Sequence, residues 1–128
     1  MSSASANFPP FECSVIVYRV LRSKGQQEEL SEAFFLREDE IESGLSVHWN
    51  CTPEQSREDF SKCYGVLSLH VGRVRTLALD VIPDEATHAN ITGVPYKETN
   101  AKEAERLASL LAQQARVCGE LRIYKREK

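Results

Sequence analysis

The stretch NAKEAERLASLLAQQARV, residues 100–117, decides how the rest of the chain is read. Ala104, Leu107, Ala108, Leu111, Ala112 and Ala115 recur at the spacing of one helical face. Asn100 precedes them as an N-cap with Glu103 three residues on, a pairing that satisfies amides left without partners in a first turn. The spacing predicts a helix over about Ala101 to Val117, ended by Gly119. Its stripe of small side chains lets it lie close against a sheet.

That sheet must come mainly from the residues before it. CSVIVYRVLR, residues 13–22, is dense in β-branched and aromatic side chains and reads as a strand buried on at least one face. In SGLSVHW, residues 43–49, Leu45, Val47 and Trp49 share one face and Ser46 and His48 the other, a half-buried strand entered through Gly44. YGVLSLHVGRVRTLALDVIP, residues 64–83, splits into two apolar runs, and Gly72 between them predicts a hairpin turn. Thr52, Pro53 and Gln55 make a capping box for a short helix over about Pro53 to Lys62. Residues 25–41 fit either a helical stripe through Leu30, Ala33, Phe34 and Phe35 or a short strand, AFFLR. VIPDEATHANITGVPYKE, residues 81–98, reads as a strand-to-helix loop fixed by Pro83, Gly93 and Pro95, in which HANITG is an edge strand or an ordered connection. ELRIY, residues 120–124, reads as a last strand. The sum is α+β: about five or six largely antiparallel strands, one long C-terminal helix packed on them, and a short helix.

With 128 residues, 41% hydrophobic and 27% charged, the chain fits one domain with its own core, expected over residues 11–128 behind a flexible leader at 1–10. The net charge of −3, with Lys and Arg scattered among acids, argues against nucleic acid as a partner; the basic tail LRIYKREK reads as a solvated end. No run of about 18 apolar residues offers a membrane span, and the first residues lack the pattern of a secretory leader. A cytoplasmic location is therefore expected, with Cys13, Cys51, Cys63 and Cys118 as reduced thiols.

Chemistry-bearing patterns are sparse. There is no glycine-rich phosphate loop and no CxxC pair, and a zinc site would have to be assembled by folding from residues such as His48, Cys51 and Cys63. Ser46 has Gly44 two residues before it but His48 two residues after it, so it departs from the nucleophile elbow. His70 in HVGR and His88 in HANIT stand beside strands as the two histidines of a phosphoesterase would, yet Gly72 and Asn90 occupy the places of the hydroxyl residues. Asp80, Asp84 and Glu85 gather carboxylates at a strand end, a pattern that also fits the bonding of turn amides. Arg19 alternates with Val17 and Leu21; on that face it needs a carboxylate, for which Asp80 is the candidate, unless the register turns it to solvent. His88 is expected to join Asp84, Thr87 and Asn90 in fastening the loop.

VYRVLR, AFFLREDEIESGLSV, YGVLSLHVGRVRTLALDVIPD, THANITGVP and AERLASLLAQQARV resemble, in this order, a group of small bacterial single-domain proteins to which no activity is attached. That resemblance spans most of residues 15–117 and implies one complete domain without implying a mechanism. YR at Tyr18 and Arg19, with LSV at Leu45 to Val47, also resembles the ADP-ribosyltransferase-like toxins. It implies an Arg19 that holds the pyrophosphate of NAD, Ser46 on a second strand, and Glu120 in the place of the acidic residue. The expectation is a partner- or ligand-binding accessory module without a cofactor, through His88, Asn90, Asp84 and Arg37. The alternative is a small NAD- or nucleotide-processing enzyme, with Arg19, Ser46 and His88 as its catalytic candidates.

Overall fold

A computed structural model describes residues 8–125. Residues 1–7 of the expected leader and 126–128 of the basic tail lie outside the described residues. Strands β1 (Ile16–Val20), β2 (Leu45–His48), β4 (Val66–His70), β5 (Asp80–Glu85), β6 (His88–Thr92) and β7 (Arg116–Val117) form a six-stranded sheet in the order β5-β6-β2-β1-β4-β7. Its strand pairs are antiparallel. β3 (Lys62–Cys63) and β8 (Tyr124–Lys125) make a second, two-stranded sheet. The helices are α1 (Lys24–Glu28), α2 (Pro53–Ser56), α3 (Val71–Arg75) and the long α4 (Ala101–Gln114), with 3-10 turns at Leu30–Phe34 and Glu38–Glu40. Among the described residues no helix is long and apolar enough to cross a membrane.

The α+β architecture agrees with the sequence reading. Asn100 caps α4 by accepting from the Glu103 amide, and Leu107, Ala108 and Leu111 pack into one cluster with Val17, Leu45, Val47, Leu67, Leu69 and Ile91. Each large aliphatic side chain buried there contributes roughly 1.5–3 kcal/mol. Thr52 and Gln55 form the expected capping box. Gly44 enters β2 at φ +112°, where a Cβ would stand 2.4 Å from the Ile91 carbonyl oxygen. Only glycine allows β2 and β6 to approach so closely there.

Several boundaries differ, each for a local reason. β4 and β5 do not form a hairpin: α3 follows β4 directly, because Val71 and Val74, three apart, both turn into the core. Gly72 supplies close approach rather than a turn, since a Cβ there would lie 2.9 Å from Cβ of Cys13. β5 pairs instead with β6, so HANIT is an interior strand and the expected loop is a hairpin turning at Ala86 and Thr87. Pro83 is tolerated because β5 is the edge strand. α4 ends at Gln114, short of Val117 and Gly119, because Arg116 and Val117 pair with β4. α2 ends at Ser56 rather than Lys62, and of ELRIY only Tyr124 enters a strand, in the second sheet. The segment left open between helix and strand, residues 25–41, is neither a single helix nor a strand: α1 is followed by two 3-10 turns.

Candidate functional site

On β2, alternation buries Leu45 and Val47 in the core and leaves Ser46 and His48 half-buried on the opposite face. β6 lies alongside, with Asn90 opposite Ser46 and His88 opposite His48. His88 is thus a diagonal neighbour of Ser46, within reach of its side chain. β5 completes the row. A bulge between Pro83 and Glu85 sets two residues against His88 and leaves Asp84 beside it.

The side chains connect in line. Ser46 Oγ lies 2.5 Å from His88 Nε2, and His88 Nδ1 lies 2.7 Å from Asp84 Oδ1. Asn90 Nδ2 donates to the other oxygen of Asp84 at 2.9 Å, so both carboxylate oxygens have a partner. A carboxylate at Nδ1 favours the proton there and leaves Nε2 to accept from the serine hydroxyl. The hairpin that carries His88 and Asp84 is clamped by Trp49, whose indole N–H reaches the carbonyls of Glu85 at 2.9 Å and His88 at 3.1 Å. Phe11 in turn packs against the Trp49 ring. The imidazole and carboxylate side chains remain partly open, at 26% and 37% exposure.

Behind Ser46, on the core face, lies a second constellation. β1 and β2 pair only at Tyr18 and His48. Past that point side chains take over the ladder: Arg19 donates to the Ser46 carbonyl at 2.8 Å, and Glu40 accepts from the Ser46 amide at 3.0 Å. Arg19 and Glu40 also bind each other at 2.8 Å, with side chains 4% and 3% exposed, and Arg19 Nε reaches the Ala33 carbonyl. Burial lowers the proton affinity of Arg19 and Glu40 partly restores it; an arginine stays charged even so. Burial pushes the Glu40 carboxyl up, but Arg19 and the amides of Arg37 and Ser46 outweigh it and hold the group below the usual carboxylate range. The buried pair therefore fixes the backbone of Ser46.

His48 extends the polar face. Its Nε2 stands 3.7 Å from Asp59, its Nδ1 is buried without a hydrogen-bond partner among the described residues, and its ring meets those of Phe60 and His88 edge-on. Burial and then the neighbouring His88 lower its proton affinity, against a smaller opposing pull from Asp59.

Ser46, His88, Asp84 and Asn90, all candidates from the sequence, therefore meet at one place. Arg37 is near but engaged, 3.2 Å from Asp39 and 3.4 Å from Glu40. Arg19 does sit on the core face, but its partner is Glu40; Asp80 bonds Arg75 at 2.9 Å instead. Glu120 lies on an exposed segment after β7, 3.6 Å from Arg122. His70 on β4 is separated from His88 by β1 and β2, so the two do not form a pair, and His48 takes the place beside His88. Asp84 bonds side chains rather than turn amides. The four cysteines are free, and among the described residues no three His, Cys, Asp or Glu are placed to hold a metal ion. Glu40 was missed because it sits in the acidic run REDEIES, where nothing distinguishes the one buried carboxylate. Comparison with known proteins found no matching family model, curated protein or solved structure.

Proposed function

We propose that the protein is a small enzyme with a hydroxyl nucleophile, Ser46, activated by His88 and oriented through Asp84. The carrying observation is the unbroken contact from Ser46 Oγ to His88 Nε2 at 2.5 Å and from His88 Nδ1 to Asp84 at 2.7 Å. Such a chain has a definite use. As Ser46 Oγ bonds an electrophilic carbon or phosphorus, its proton passes to Nε2, and Asp84 stabilises the imidazolium. The bond to the leaving group breaks and His88 returns the proton to that group. Water then repeats the sequence against the serine adduct and frees the hydroxyl. An NAD- or nucleotide-processing activity falls within this reading, with Ser46 as the working group and Arg19 as its support.

A partner- or ligand-binding accessory module is the second reading, and one observation favours it. The Ser46 amide is committed to Glu40, so the nucleophile's own N–H is not free to stabilise an oxyanion. Incubation with a fluorophosphonate separates the two. The enzyme reading expects one adduct, on Ser46, that is lost in Ser46→Ala. A folded protein that gains no Ser46 adduct would favour the module.

A further inference from the structure

Resting on Ser46 as the reacting group, we infer that the substrate carries an oxyanion, a phosphate monoester or a carboxylate, which seats beside Ser46 on Arg22. A pocket of about 30 Å³ adjoins the serine, lined by Arg19, Arg22, Arg37, Ser46, His48 and Phe60, with Val20 behind them. Three arginines and no acidic residue belong to its lining. Two of the three are matched: Arg19 by Glu40, and Arg37 by Asp39 with a further contact to Glu40. Arg22 makes no ion pair with a described residue; its guanidinium stands over the Phe60 ring, 5.3 Å from the centroid. Asp59 approaches His48 at 3.7 Å, but it is 80% exposed and its field is screened by solvent. Arg22, exposed and without an ion pair among the described residues, is thus the arginine of this lining left to bind an anion, and its fork of N–H donors suits planar carboxylate or tetrahedral phosphate oxygens.

The cavity of about 30 Å³ exceeds the roughly 10–15 Å³ that one water needs, so it has room for a small anionic group. Phe60 also lines a larger groove of about 430 Å³, whose walls include Arg57, Tyr124 and Arg122. Arg57 and Arg122 both pack on the Tyr124 ring, with guanidinium carbons 4.0 and 4.3 Å from its centroid. The anionic head lies by Arg22, and the body of the substrate runs over Phe60 into this groove.

The test is titration of inorganic phosphate, and separately of acetate, into the wild type, Arg22→Ala and Arg22→Lys at low ionic strength. Binding is followed by calorimetry and by the imidazole resonances of His48. Compared with the wild type, Arg22→Ala should bind about tenfold more weakly, the worth of one charge-assisted hydrogen bond, and Arg22→Lys should fall between. The tighter of the two anions names the substrate class. Failure of both to bind the folded wild type, or equal binding by Arg22→Ala, would overturn the pocket. The fluorophosphonate adduct reads the nucleophile separately: anion binding without an adduct sinks the serine chemistry alone, and an adduct without anion binding sinks the pocket alone.

Discussion

Two polar constellations sit on opposite faces of β2 and use similar side chains to different ends. On the core face Arg19 and Glu40 are 4% and 3% exposed and spend their hydrogen bonds on each other and on backbone. On the other face His88 and Asp84 are 26% and 37% exposed, and their chain ends on a serine hydroxyl. A buried charge must be fully matched or it unfolds the site around it; a half-exposed chain keeps one end for a substrate. Burial, more than residue type, separates the scaffold from the site.

The largest expected effect comes from breaking the buried pair. Arg19→Ala leaves Glu40 uncompensated and should cost about 3–5 kcal/mol in chemical denaturation. A buried ion pair can often be replaced by apolar residues without loss. Here Arg19→Met with Glu40→Leu should remain destabilised by at least about 1–3 kcal/mol, because the Ser46 amide and carbonyl lose their partners. Wild-type stability in that double variant would mean that the pair does not hold β2. The other face should respond in the opposite way. His88→Gln should slow adduct formation at Ser46 by roughly a hundredfold or more while changing stability by less than about 1.5 kcal/mol. A large stability loss would make His88 the fastener of the hairpin instead.

The smallest effect concerns pH. His48 has its proton affinity lowered in the folded state, so the unfolded chain takes up the proton first. Its contribution to stability is present above the unfolded value, about 6.5, and is lost as pH falls from there through the folded value. His48→Gln should flatten that part of the denaturation profile between pH 7 and 5, and an unchanged slope would assign it to other groups.

The elements with strong local signals were legible in the sequence: the capped α4, the β-branched β1, and the alternation of β2 that sets Ser46 and His48 on one face. The β5–β6 hairpin was not, because Ala86 and Thr87 carry none of the glycine or asparagine that marks a two-residue turn. Nor was α3, since Val71, Val74 and the residues after them fit either period over so short a run. Ser46, His88, Asp84 and Asn90 were each visible as candidates, but their wiring depends on two strand registers and a bulge that no local signal encodes. The same gap sent Arg19 to Asp80 rather than to Glu40.

The central claim is that Ser46, His88 and Asp84 act as a unit, and the most direct test is a double-mutant cycle on the rate of fluorophosphonate adduct formation at Ser46. Groups that work as one chain are strongly non-additive. His88→Gln with Asp84→Asn should therefore be no slower than His88→Gln alone. Independent, multiplying losses from the two substitutions, or a folded wild type that never forms the Ser46 adduct, would contradict it.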